Sequence, residues 1–490
     1  MPLLDEIRAA LHFQGRGAAA LEVVARGAGT VAGLVAALTW QCHIDGRTRL
    51  EVDSPLPETT AFDGTHGAYV GPLGLLEPLD LADLDEFRLA AALITGSWLD
   101  PRTMLWLDDP VTEGDRIVVR ARAGDEPWRQ AFRIVCKSTT RRPLRLEVLS
   151  GRDTPALEVD DFAPGVFCDM PRRLHWRRGW LTDTVEITHV GPADEIRPYA
   201  LHDARGERAA YVDPAAPTRA RATRSPRGRL PLVRAAVDGL DLGWFLIDTG
   251  AGASAIDRAI ADRLDLPSVG RTWVLTPTGG EGAAYRRCPG LTVGPVRLPD
   301  ALLVELDLAD ISVALGARLV GIFGFDLFAQ TMVRLVHSPL TVELFTPCHD
   351  VPATWSPVRF EHRVPVLDAV LSASSDGPSA TGRVVLDTGS SGQMVLNERV
   401  MSQLGRTAPR RRGIRGVSGT GSFGVGRLPR IDVAGTRFER CRVLVADGVE
   451  GALAGPTTLG SIGWGLFAGR EILLDWSRRR IAISSPVSTR

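Results

Sequence analysis

The sequence predicts a mainly β protein in two parts, a curved antiparallel β-sheet domain with a few helices and then a bilobal, pseudo-twofold β-barrel region. Three observations predict it: strand-like apolar runs along the whole chain, a Pro- and Arg-rich break near the middle, and a C-terminal half that repeats itself in register. At 490 residues the chain exceeds what one hydrophobic core usually organises. A net charge of −1 leaves no global field to recruit nucleic acid or an acidic membrane.

Residues 1–205 form the expected N-terminal β-rich domain. It opens with an amphipathic helix, in which Leu4, Ile7 and Leu11 fall at helical spacing. Strands follow at Thr48–Val52, Arg116–Ala121, Gln130–Val135 and Leu144–Val148, separated by Gly, Asp and Pro. Leu79–Thr95 has a helical pattern. The six cysteines are scattered and form no C-x-x-C pair, so they are expected to be buried thiols. No cationic-then-apolar leader opens the chain, and no run is long enough to span a bilayer as a helix. The sequence as written is thus expected to be soluble and cytoplasmic, and periplasmic or secreted if a leader has been removed.

Residues 206–228, and most clearly DPAAPTRARATRSPRGR from Asp213 to Arg229, have no apolar period and are expected to be an exposed linker. Beyond it come lobe 1 at 229–347, a connector at 348–357 and lobe 2 at 358–490. WFLIDTG (Trp244–Gly250) returns as RVVLDTG (Arg383–Gly389). Each copy is followed by an apolar step of four: Ile256, Ile260 and Leu264, then Leu396, Val400 and Leu404. Gly324 and Gly463, which end Ile322-Phe323-Gly324 and Ser461-Ile462-Gly463, each lie 76 residues after their aspartate. Leu327-Phe328 and Leu466-Phe467 keep the register, as do Val342 and Leu344 against Ile481 and Ile483. A chance tripeptide would not carry that register with it.

One Asp-Thr-Gly is an ordinary turn. Two copies, each delivered by an apolar strand, bring two carboxylates into an interior where a lone charge is costly. Facing each other, the two acids share one proton. The ionised member then deprotonates a water that attacks a carbonyl, and the protonated member donates to the carbonyl oxygen. Asp248 and Asp387 are the catalytic candidates. Thr249 and Thr388 have hydroxyls short enough to lock the opposite lobe's backbone, and Gly250 and Gly389 admit close approach. Ser390, where lobe 1 has Ala251, is expected to bond Asp387 and so leave the proton more often on Asp248.

These tandem elements resemble the pepsin-like and retroviral-type (retropepsin-like) aspartic proteases over roughly Gly228–Ser485. The resemblance implies a bilobal acid-protease β-barrel fold, an Asp dyad, a peptide or protein substrate, no cofactor and no metal. It also implies a covering hairpin in each lobe. In lobe 1 the tip is expected at Gly279-Gly280, within TPTGGEG, and in lobe 2 at Ser418, Gly419, Thr420 and Gly421. Ser418 stands where pepsin-like flaps carry a tyrosine. GTGSFG (Gly419–Gly424) also fits G-x-G-x-x-G, but a Pro-bearing strand follows it where a dinucleotide site needs a helix. The arginine runs at 410–412 and 478–480 are expected to be solvated.

In the N-terminal region, FDGTHGAYV (Phe62–Val70) and DDFAPGVFCDMPRRLHW (Asp160–Trp176) look like parts of lipoprotein-carrier domains, which implies an apolar ligand on that sheet. The leading expectation is an aspartic endopeptidase. Two other readings stay open: a catalytically silent peptide-binding pseudoprotease, and a hydrophobic-ligand or peptide binder acting through the N-terminal domain.

Overall fold

The computed structural model describes residues 2–13, 22–43, 45–99, 105–123, 132–148, 156–164, 168–178, 181–193, 196–202, 209–211, 218–276, 279–347, 349–374, 377–405, 411–416, 419–446 and 458–485. The chain divides into two compact units. One comprises Met1–Gly206 with Gly270–Val274 and Gly280–Gly282, and the other Glu207–Val269 with Leu275–Gly279 and Ala283–Arg490.

The first unit is built on one antiparallel sheet of fourteen strands among the described residues. From Leu76–Leu79 the strands pair backwards along the chain to Glu22–Val31. There the sheet passes to Leu181–Pro192 and again steps back, strand by strand, to Trp106–Leu107. Every second residue turns to one face, as in Ala36, Leu38 and Trp40, or Ile117, Val119 and Ala121, and these join a single apolar core. Helix α1 (Pro2–Ala10) adds Leu4 and Ile7, with Leu11 just beyond its end, and helix α2 (Leu81–Thr95) adds Leu89, Leu93 and Ile94. Trp98 and Leu99 complete the cluster. Both helices thus pack their apolar residues into the core of this sheet. Gly96 ends α2 at φ 72, a left-handed position that only glycine takes without strain.

The second unit holds the repeat. Leu240–Ile247 lies parallel to Leu319–Phe323, and Ser379–Asp387 lies parallel to Thr458–Gly463, in a nine-stranded and an eight-stranded sheet respectively. A third sheet of five strands draws on both lobes: Met332–Val336 of lobe 1 pairs antiparallel with Glu471–Asp475 of lobe 2. Arg334 on one of these strands reaches Glu471 on the other at 2.6 Å. Rings cross the same boundary. Trp476 of lobe 2 lies 5.7 Å from Phe328, and His337, at the same place in lobe 1, stacks 5.0 Å from Trp464.

Two expectations are corrected. The stretch 218–228 is not a free linker. Ala222–Arg224 pairs with Pro231–Val237, Ala220 donates its N–H to the Val342 carbonyl, and Ala220 and Ser225 are buried. Small residues at these points let the backbone join the lobe while Arg219, Arg221 and Arg227 stay exposed and Arg224 donates to the His337 carbonyl. The Arg478–Arg480 run is only partly solvated. Arg480 donates to the buried Asp475 carboxylate at 2.8 Å and its guanidinium lies 4.0 Å over the Trp355 ring. Cys42, Cys136, Cys168, Cys288 and Cys441 are buried free thiols, and Cys348 lies outside the described residues. Among the described residues no helix is long and apolar enough to cross a membrane.

Ile7 is fully buried and anchors α1 to the sheet. Ile7→Ala is expected to cost about 2–5 kcal/mol and to speed amide exchange across Pro2–Ala10, leaving exchange in 240–250 and 379–389 unchanged. Hydrogen-exchange mass spectrometry reads this, and unchanged protection of α1 would contradict the packing argument.

Candidate active site

Asp248 follows Leu240–Ile247, a strand whose last three residues, Phe245, Leu246 and Ile247, are buried. Its N–H donates to the Phe323 carbonyl at 3.0 Å, so the aspartate sits beside Gly324. In lobe 2, Asp387 pairs directly with Gly463. The register visible in the sequence is therefore a physical one, because each apolar-apolar-Gly segment is the strand alongside its aspartate. The glycines are there for space. A Cβ on Gly324 would meet the Ala251 carbonyl at 2.6 Å, and one on Gly463 would meet the Ser390 carbonyl at 2.7 Å. Any larger residue would push away the loop that follows each acid.

Thr249 and Thr388 join the lobes reciprocally. Each backbone N–H donates to the other threonine's Oγ1 at 3.0 Å. The Thr249 hydroxyl donates to the Leu386 carbonyl and the Thr388 hydroxyl to the Ile247 carbonyl, both at 2.8 Å. All four bonds are buried. Each hydroxyl is thus both donor and acceptor across the boundary, a use that its two lone pairs and one proton permit.

The two carboxyl groups hydrogen-bond each other. Gly250 donates its N–H to Asp248 Oδ1 at 2.8 Å, and further backbone N–H groups reach Asp248 from Gly389 and Ala251. Those of Gly389 and Ser390 reach Asp387. A Cβ on Gly250 would lie 2.8 Å from Asp387 Oδ1, so the absence of a side chain there is what lets the acids meet.

Burial raises both acids above the ordinary carboxyl value of 3.8. Asp387 is raised well above it, first by burial and then by the negative charge of Asp248 facing it. The Ser390 backbone, rather than its hydroxyl, serves Asp387, and Ser390 Oγ lies toward Gly463, 3.0 Å from where a Cβ would be.

Among the hairpin candidates, Gly279 and Gly280 open the strand Gly279–Val293. Gly419, Thr420 and Gly421 open Gly419–Val433, paired with Gly416, Arg415 and Ile414 across the hairpin. Ser418 lies outside the described residues. G-x-G-x-x-G is carried by this strand with no helix after it, as the proline indicated.

One polar group near the dyad went unnoticed in the sequence. Asp326, the second residue of the helix Phe325–Gln330, accepts the Ser254 N–H at 2.7 Å. Its signal was present: 78 residues after the aspartate, lobe 1 has Asp326 where lobe 2 has Gly465, the one place between the matched Gly and Leu-Phe where a charged residue stands against an uncharged one.

Two segments, 233–327 and 371–465, each match the model of the family described as Aspartyl protease. No curated protein matches the chain. A solved structure to which the chain is similar is the aspartic proteinase from Irpex lacteus, at 13% identity and a TM-score of 0.37, over 56% of this chain and 98% of that one. The two matched segments are the two that carry Asp248 and Asp387.

Proposed function

We propose that the chain is an aspartic endopeptidase in which Asp248 and Asp387 are the catalytic residues. The observation that supports this is the pair of carboxyl groups, delivered by equivalent strands of two lobes, bonded to each other and surrounded by backbone N–H groups. In this reading the ionised member of the pair takes a proton from a water as the water oxygen forms a bond to the scissile carbonyl carbon, and the protonated member gives its proton to the carbonyl oxygen. As the diol collapses and the C–N bond breaks, the first acid passes its proton to the amide nitrogen and the second recovers one from a diol hydroxyl as the carbonyl re-forms. Thr249, Thr388, Gly250 and Gly389 hold the acids in place, and the two hairpins cover the peptide.

The test is a diverse peptide library digested from pH 3 to pH 8, with and without a statine-type transition-state inhibitor. Cleavage should be blocked by the inhibitor and should fall about 10²–10⁴-fold in Asp248→Asn and in Asp387→Asn. The two limbs of the pH profile belong to the pair, and because the pair retains a proton through burial and mutual repulsion, the alkaline limb should lie above the ordinary carboxyl range. Tight peptide binding without cleavage in the wild type would instead make the chain a peptide-binding pseudoprotease.

The same protonation affects stability. A carboxyl raised in the folded state stabilises the fold below its unfolded value, and that contribution is lost as pH rises through the folded value. Asp387→Asn has no such proton to lose. Urea midpoints should therefore shift in favour of the variant as pH goes from 4 to 8, whereas a constant difference would mean that Asp387 titrates normally.

Thr388→Val removes two inter-lobe bonds and leaves the Thr249 N–H and the Ile247 carbonyl unpartnered in the interior. The cost should be about 1–3 kcal/mol for each group. Peptide cleavage should decline with it, whereas Thr388→Ser should retain most of both. Equal urea midpoints for the valine and serine variants would sink this account.

A further inference from the structure

The loop after Asp248 is tied to the start of the helix Phe325–Gln330 at several points. Phe325 donates its N–H to the Ala251 carbonyl at 2.9 Å, and Gly324 donates to Ser254 Oγ at 3.0 Å. Ser254 in turn serves Asp326 twice, by its N–H at 2.7 Å and by its hydroxyl. Burial raises this carboxyl above its ordinary value, and the positive charge of Arg363 offsets part of that rise.

Arg363 belongs to the other lobe. It stands in the turn between Arg359–Glu361 and Val364–Ser372, where His362 and Arg363 have φ of 52 and 62. Its guanidinium lies 5.6 Å from the centroid of the Phe325 ring. The turn also packs on the loop itself, since a Cβ on Gly252 would meet the His362 carbonyl at 2.6 Å. A lobe 2 turn thus reaches both ends of the arrangement.

The mirror-image contact exists without the charges. In lobe 1 the turn at Gly228 packs on Ser391, with a Cβ there 3.3 Å from the serine Cβ. Trp464 donates its N–H to the Ser390 carbonyl at 2.8 Å, matching Phe325 and Ala251. Gly465, in place of Asp326, donates its N–H to the Gly392 carbonyl at 3.1 Å. Packing of a turn on the opposite loop is common to both halves, and the acid belongs to one.

We infer that Asp326 is a positioning residue for Asp248: it holds the 251–254 loop through Ser254, and Arg363 of the opposite lobe supplies the counter-charge, so that lobe closure and ordering of the loop after Asp248 occur together. A buried carboxyl deprived of its cation takes up a proton, and the protonated oxygen no longer accepts as well from Ser254, so loss of Arg363 should be felt in the loop. Asn at position 326 keeps an acceptor for the Ser254 N–H and needs no cation. The kinetic part of the test rests on the proteolytic reading, and the other parts do not.

The experiment uses the full chain with Asp326→Asn, Asp326→Ala, Arg363→Gln and the double variant Asp326→Asn/Arg363→Gln. Arg363→Gln should speed amide exchange across 251–254, and its effect on the urea midpoint should be mostly absent in the Asp326→Asn background. With a cleavable peptide, Arg363→Gln and Asp326→Ala should lower kcat by about 10-fold or more with KM within about 3-fold. Asp326→Asn should stay within about 3-fold of wild type in kcat. Unchanged exchange at 251–254 in Arg363→Gln, or equal effects of that substitution in both backgrounds, would overturn the inference even if the enzyme cleaves normally. A wild type that cleaves nothing, together with a background-dependent Arg363 effect, would remove the proteolytic reading and leave the clamp standing. Should Asp326→Ala fail to fold, the Asn and Gln variants still decide the matter.

Discussion

Two carboxyl groups brought together in an interior constrain everything around them. A single buried carboxylate would simply take up a proton, whereas two at hydrogen-bonding distance bind one proton between them and keep one charge. That charge is tolerated because backbone N–H groups turn toward both acids, those of Gly250, Gly389 and Ala251 toward Asp248 and those of Gly389 and Ser390 toward Asp387. Those groups can do so only if the lobes are locked in register, which is the task of Thr249 and Thr388. The apolar strands, the matched glycines and the shared five-stranded sheet all serve to keep this one hydrogen bond at its length.

Much of the site could be read from residue order because the duplication printed it twice. Asp248 with Thr249 and Gly250, and Asp387 with Thr388 and Gly389, repeat with the same downstream partners, so register stood in for missing coordinates. The role of the Ser390 hydroxyl was misjudged for a local reason. A serine three residues after an acid has two ways to serve it, and here the backbone does so while the hydroxyl turns toward Gly463. The Asp326–Arg363 relation was invisible because it depends on where a two-residue turn in one lobe comes to rest against the other. No periodicity in either segment encodes that.

The N-terminal unit was legible as strands and helices but not as an ordered sheet. Alternation at Ala36, Leu38 and Trp40 shows which side faces inward, yet the passage from Glu22–Val31 to Leu181–Pro192 joins residues far apart in the chain. The linker was misjudged because composition is silent about hydrogen bonding. Arginine-rich residues at 218–228 still carry backbone groups, and Ala220 and Ala222 are small enough to place them against lobe 1.

His337 and Trp476 occupy matching places, and each seats its ring in the opposite half, the imidazole on Trp464 and the indole on Phe328. Two-fold assemblies of identical chains require a surface that complements itself. A homodimer of the second half would set indole against indole where this chain sets indole against imidazole, and one of the first half would set His337 near Phe325. At this seam the two halves are complementary without being identical, so neither presents to itself the ring partner that the other supplies.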